Sequence, residues 1–201
     1  MTLVLASGSP RRAEILRDAG FEFEIRPARI DESRGPNETP GEYVTRLALE
    51  KARTVTARLA REKAGPATVI GADTVVINDG AFFGKPASAE EVRRMLRQLS
   101  GRTHQVHTGL AIVRHPDGAA RVLEEITSVE FAELSASEIE WYSATGEPLD
   151  KAGAYGIQGI GGRFVRRVSG CYFNVMGLPL SRLYMLLKEL GAIGTNLEPL
   201  R

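Results

Sequence analysis

Apolar positions fall in short runs near the start of the chain and at helical spacing further on. Leu3 to Ala6 is a strand-like run that breaks at Ser7-Gly-Ser-Pro10, where Ser9 suits a helix cap and Pro10 the first helical turn. The next helix carries Ile15, Leu16 and Ala19 and stops at Gly20, and Phe21 to Ile25 reads as a second strand. The polar stretch from Arg29 to Gly41 is long for a loop in a compact domain, which points to function. From Glu42 to Lys63 the spacing predicts one long helix; Ala67 to Ile77 is nearly continuous apolar β-type sequence, broken by Asp73. Ser88 and Glu91 form a capping-box pattern ahead of Val92, Met95, Leu96 and Leu99, a helix closed by Gly101. Thr103 to Val113 and Ala120 to Phe131 are two strands joined through Pro116-Asp-Gly118. Ser135 with Glu138 opens a short helix closed by Gly146. The glycine-rich tract Gly153 to Gly162 precedes a strand at Phe164 to Val168, and Leu180, Leu183, Tyr184, Leu187 and Leu190 mark a last helix ending at Gly191.

Strands and helices mix without strict alternation, and one hairpin is well signalled. The expected fold is therefore α/β with α+β character, a mixed sheet flanked by helices. A chain of 201 residues suits one domain, or two lobes sharing a core. Lys and Arg number 26 against 25 Asp and Glu, so the net charge of +1 argues against a general nucleic-acid binder while leaving room for a small basic pocket. Cys171, the single cysteine, cannot form an internal disulfide, which suits a reducing compartment. Thr2-Leu-Val-Leu-Ala6 is too short for the apolar core of a signal peptide, and no apolar run approaches the ~20 residues that span a bilayer. A cytoplasmic protein without a membrane partner is expected.

Four places could carry chemistry. In Ser7-Gly-Ser-Pro-Arg-Arg12 a strand leads through small residues to a helix N-terminus, whose N–H groups and dipole attract anions. Arg11 and Arg12 stand where acids are usual; they make sense if a bound phosphate supplies the negative charge, or as solvated arginines on an ordinary helix. Asp73, amid Val69 to Ile77, needs a cation, a metal or hydrogen-bond donors if it is buried, and none if it turns to water at a bulge. Lys51 falls inside the apolar arc of the long helix, between Leu47 and Val44, so its ammonium either runs out to water or points into a cleft beside the core. Asp31 and Glu32 are adjacent acids able to serve an oxygen-loving ion such as Mg²⁺. Lys85, in Gly84-Lys-Pro86, reads by itself as a turn lysine. His104 and His107, three apart on a strand, face opposite sides and do not suggest a shared metal, and His115 adds no ligand spacing. Gly156-Ile-Gln-Gly-Ile-Gly161 opens no helix as a dinucleotide-binding turn should, and no P-loop sequence is present.

Leu5-Ala-Ser-Gly-Ser-Pro-Arg-Arg12, Leu49-Glu-Lys-Ala52, Gly71-Ala-Asp-Thr-Val-Val76, Gly84-Lys-Pro86, the run from Gly146 to Gly159 and Tyr172 to Pro179 together resemble the Maf family, in the family's order from Leu3 to Leu190. The resemblance implies a fold related to the inosine-triphosphate pyrophosphatases, a two-lobed domain over residues 1–191 with a long mixed sheet and a central nucleotide cleft, and a tail over 192–201. It implies hydrolysis of a nucleoside triphosphate between the α and β phosphates, with Mg²⁺ or Mn²⁺, by a chain that could be a homodimer. Ala72-Asp-Thr74 and Gly156-Ile-Gln-Gly159 are similar to the branch acting on dTTP and UTP, with CTP and modified pyrimidines as further candidates. Asp73 then matches the acid that activates water, Lys51 and Lys85 the cleft lysines, and Glu32 an acid near the metal, with Asp73 and Glu32 able to exchange the roles of base and ligand. Arg11, Thr74 and Gln158 match residues that shape substrate choice, while Ser7, Ser9 and Arg12 belong to the phosphate-binding motif. The alternatives are a same-fold enzyme for another nucleotide, such as 7-methyl-GTP, and a nucleotide-binding regulator of cell division.

Overall fold

The computed structural model describes residues 1–193, so the tail expected over 192–201 lies outside the described residues from 194 onward. Its strands are β1 (Thr2–Leu5), β2 (Glu24–Ile25), β3 (Ala67–Asn78), β4 (Ala81–Phe83), β5 (Thr103–His115), β6 (Ala120–Phe131) and β7 (Val165–Ser169). Its helices are α1 (Pro10–Asp18), α2 (Pro40–Arg61), α3 (Ala89–Leu99), α4 (Ala136–Ala144), α5 (Tyr172–Met176) and α6 (Leu180–Glu189), with short 3₁₀ turns at Glu147–Asp150, Ala152–Ala154 and Ile160–Phe164. The strands form one mixed sheet in the order β2-β1-β3-β5-β6-β7, with β4 paired to β3. β1 runs parallel to both β2 and β3, whereas β3 with β4 and β6 with β7 are antiparallel. This is the mixed sheet with flanking helices that the sequence predicts.

The chain falls into two compact units. The first comprises Met1–Asp73, Thr108–Glu124 and the segment from Gly177 on; the second comprises Thr74–His107 and Glu125–Met176. In the first unit α2 buries Val44, Leu47, Ala48, Ala52, Val55 and Leu59, the apolar arc read from its sequence. Two glycines decide how closely that arc meets the sheet. A Cβ on Gly71 of β3 would lie 2.0 Å from the Ala48 carbonyl oxygen, and one on Gly109 of β5 would lie 2.1 Å from that of Val44. Only glycine admits this approach of backbone to backbone.

The second unit is built around aromatic rings in edge-on contact. His104 and Phe131 have centroids 5.0 Å apart, Phe131 and Tyr155 4.7 Å, and Tyr142 and Phe164 5.1 Å, spacings typical of T-shaped pairs. α3 closes this core with Val92, Met95, Leu96 and Leu99, all buried as its period predicts.

Several local expectations are corrected. Ser9 stands at the N-cap of α1 but makes no side-chain cap; its own N–H donates to Ser7 Oγ instead, at 3.2 Å. Ala19 is exposed, and Ala13 joins Ile15 and Leu16 inside. The strand expected from Phe21 shrinks to Glu24–Ile25. The reason is the helix end, where the Phe21 N–H returns to the Leu16 carbonyl (3.0 Å) and that of Gly20 to Arg17 (2.9 Å), a Schellman closure that consumes the residue. Ser88 caps α3, but Glu91 reaches the Ala87 N–H (2.8 Å), so the box is half formed. A full capping box instead starts α2, between Thr39 and Glu42, two residues before the helix read from sequence.

Candidate active site

The close contact between Gly71 and Ala48 fixes how α2 is set against β3. Asp73 lies two residues beyond Gly71 on β3 and so faces the same side of the strand, while Lys51 lies three beyond Ala48, one turn along α2. The two side chains therefore meet. Lys51 Nζ donates to Asp73 Oδ1 at 2.6 Å, and Lys51 and Asp73 are 7% and 8% exposed. The same ammonium lies 2.6 Å from Glu32 Oε1. Lys51 thus does not run out to water, and Asp73 does not turn away from the interior.

Glu32 arrives on the long loop, which is tied down by side chains that the sequence did not single out. Tyr43 Oη donates to the Glu32 carbonyl at 3.0 Å. Tyr43, Leu47 and Lys51 are spaced four apart and share one face of α2, so the spacing itself was a signal. Burial first, then the negative charge of Asp73 and Glu32, raise the phenol's pKa above its ordinary value. Further out, Arg46 grips Glu38 through Nε (2.6 Å) and Nη2 (2.9 Å), and Nη2 also reaches the Ser33 carbonyl at 3.1 Å. This fork holds the Glu38 carboxyl down to about 2, aided by the Gly35 N–H. Asp31 accepts from the Ser33 N–H at 2.9 Å, a local turn bond.

The β1–α1 junction stands in the same unit. Arg12 is buried; its Nε donates to the Gly177 carbonyl (2.7 Å) and its Nη1 to Ser7 Oγ (3.1 Å). Burial lowers its pKa, opposed by the charge of Asp73 and, more weakly, of Glu32, with Arg11 adding to the lowering. Two arginines and a helix N-terminus without an acid in its first turn therefore adjoin two carboxylates bridged by a lysine. The first unit brings together Ser7, Ser9, Arg11, Arg12, Glu32, Lys51 and Asp73.

The remaining candidates belong to the second unit. Thr74 is half-buried, directly after Asp73, while Lys85 and Gln158 are exposed. The turn holding Lys85 is linked to the glycine-rich tract through the Gly153 N–H and Gly84 carbonyl (3.1 Å). Gln158 stands on a turn closed by the Gly159 N–H on the Gly156 carbonyl at 3.2 Å. The histidines are structural in their contacts. His104 Nε2 pairs with Tyr155 Oη at 2.8 Å, and burial lowers its pKa to about 4, whereas His107 Nε2 meets Gln105 Oε1 at 3.3 Å.

The donor set fits a hard divalent cation. Glu32 and Asp73 already converge on one positive charge, and both offer only carboxylate oxygens. Among the described residues no group of three or more His, Cys, Asp and Glu side chains is placed to hold an ion, so the rest of an octahedral shell would come from water and phosphate. Among the same residues no helix is long and apolar enough to cross a membrane.

Residues 2–190 match the family described as Maf-like protein. The chain is 49% identical over 189 residues to a dTTP/UTP pyrophosphatase of Symbiobacterium thermophilum, covering 94% of each chain. It is 51% identical to the dTTP/UTP pyrophosphatase of Moorella thermoacetica, over 94% of this chain and 95% of the relative. It is also 51% identical to that of Shewanella denitrificans, over 93% and 95%.

Proposed function

Since the chain belongs to the Maf-like protein family, which matches it over residues 2–190, we propose that it hydrolyses dTTP and UTP to the nucleoside monophosphate and pyrophosphate. The activity of the relatives supports this reading, and the observation that carries it is the buried Lys51 ammonium held between Asp73 and Glu32. A carboxylate pair of this kind, beside Arg12 and a helix N-terminus, suits hydrolysis of a phosphoanhydride better than it suits a packing role.

In the reaction a water oxygen attacks the α-phosphorus, and the bond to the oxygen bridging to the β-phosphorus breaks. Asp73 accepts the water's proton, and pyrophosphate leaves with the bridging oxygen. Lys51 keeps Asp73 oriented. Ser7, Ser9, Arg11 and Arg12, with the N-terminus of α1, bind phosphate oxygens, and Lys85 adds positive charge for the leaving group. Glu32 and Asp73 would hold a divalent cation, Mg²⁺ or Mn²⁺, which when bound neutralises the triphosphate and lowers the pKa of water. Thr74 and Gln158 select the base: a carboxamide can accept from the uracil or thymine ring N–H and donate to a carbonyl beside it.

Pyrophosphate release from UTP, dTTP, CTP, ATP and GTP with Mg²⁺ tests the reading. UTP and dTTP should lead, with CTP the least rejected of the others. Asp73→Asn should lose ~10²–10⁴-fold in turnover with the fold intact. A preference for a purine nucleotide, or an Asp73→Asn enzyme within about tenfold of wild type, would refute the substrate and the base respectively.

A further inference from the structure

The turn that carries Gln158 has little of its own to hold it in place. Gly156-Ile-Gln-Gly-Ile-Gly161 contains three glycines, each costly in entropy to order. One internal bond, from the Gly159 N–H to the Gly156 carbonyl at 3.2 Å, closes it, and the rest of its order comes from outside the turn. Glu147, just beyond α4, accepts the Gly161 N–H on Oε1 at 3.0 Å and the Ile160 N–H on Oε2 at 2.9 Å. Tyr142, fully buried on α4, donates its hydroxyl to the same Oε1 at 2.8 Å and accepts the Gly156 N–H at 3.3 Å. Backbone amides on both sides of Ile157-Gln-Gly159 are thereby tied to one carboxylate and one hydroxyl. A Cβ on Gly159 would lie 2.5 Å from Glu147 Oε2, so the carboxylate sits directly beneath the turn. Burial pushes the Glu147 pKa up, but the N–H groups of Gly161 and Ile160, the Tyr142 hydroxyl and the Lys151 charge outweigh it and leave it below the usual carboxylate range. Gln158 itself remains exposed.

A carboxamide alone cannot separate uracil from cytosine, because half a turn of the amide presents the reverse pattern of donor and acceptor. Discrimination needs a neighbouring group of fixed polarity, and the backbone N–H and C=O groups of this turn are such groups. Their direction is fixed only as far as the turn is held. We propose that Glu147, together with Tyr142, is a positioning residue that fixes the Gln158 turn and so sets the preference for uracil and thymine over cytosine without touching the nucleotide. The proposal rests on the reading of Gln158 as a base contact.

The test compares kcat/KM for UTP and CTP, with Mg²⁺, in wild type, Gln158→Ala, Glu147→Gln and the double variant. Glu147→Gln keeps the side chain's size but offers an NH₂ where one backbone N–H needs an acceptor. The UTP:CTP ratio should fall about tenfold, the worth of one directed hydrogen bond. Gln158→Ala should slow UTP and CTP alike and leave the ratio near that of wild type, because its amide turns to suit either base, and the double variant should show both effects. Tyr142→Phe keeps the ring in the core and should lower the ratio in the same direction, which covers the case of a Glu147 variant that does not fold. Cooperative melting of each variant, and faster hydrogen exchange at Ile160 and Gly161, complete the comparison. If Glu147→Gln and Tyr142→Phe slow UTP and CTP by equal factors, or change neither rate, Glu147 is scaffolding and the proposal is overturned. If Gln158→Ala leaves kcat/KM for both nucleotides unchanged, the reading of Gln158 as base contact fails, and this inference with it.

Discussion

An ammonium 2.6 Å from each of two carboxylates, only one of them exposed, makes stability depend on three residues together. Removing the cation alone leaves Asp73 buried without its partner. Lys51→Met should therefore lower the unfolding free energy by about 3 kcal/mol, although methionine suits the apolar arc around it. Adding Asp73→Asn should restore part of that loss, because the remaining group is then neutral. Urea titrations of the two single variants and the double variant check this, and additive losses would show that the pair is not coupled. Lys51 and Asp73 were legible in the sequence because each breaks a periodic apolar pattern. Arg46 was not, since its partners Ser33 and Glu38 lie on the long loop and nothing local announces them. Glu147 sat inside a recognised motif, yet its three hydrogen bonds depend on a fold of the chain over 14 residues that spacing alone does not reveal.

Among the elements, α2 and β3 do the placing. Gly71→Ala would drive a methyl group into the Ala48 carbonyl at 2.0 Å, an overlap with backbone that no rotamer change relieves. α2 must move out, and Lys51 moves with it. The expected result is a loss of about 3 kcal/mol in stability together with a lower kcat, whereas alanine at an exposed glycine such as Gly84 should do neither. Thermal melting and steady-state rates on the same preparation check it. The long, periodic elements were read nearly to their ends. The short ones were not. β4 has three residues and α5 five, too few to show a period, and β2 lost its first residues to the closure of α1.

For the molecule as a whole, acid should act in two separate windows. His104 has a folded pKa of about 4 against 6.5 for the free side chain, so the unfolded chain binds the extra proton and stability falls as pH drops from 6.5 towards 4. The shift corresponds to about 3 kcal/mol. Glu38, held down to about 2 from 4.5, adds stability that is full above 4.5 and lost as pH falls towards 2. Urea unfolding from pH 7 to 4 should show the first step, and His104→Gln should flatten it. An equal slope in the variant would place the acid sensitivity elsewhere. The mixed sheet was legible from the order of strand and helix signals. The place where the chain divides was not, because β3 passes from one unit to the other between Asp73 and Thr74 with no break in its apolar run.

That division has a consequence for synthesis on the ribosome. The second unit is complete once Met176 has been made, but the first still lacks everything from Gly177 on. The carbonyl that receives the Arg12 Nε is made 165 positions after Arg12 itself. At ~5–20 residues per second that interval is on the order of ten seconds or more. Throughout it, a nascent chain carries Lys51, Asp73 and Glu32 without the segment that anchors Arg12. A message cut short before Gly177 yields a product with both carboxylates and no Gly177 carbonyl to receive Arg12.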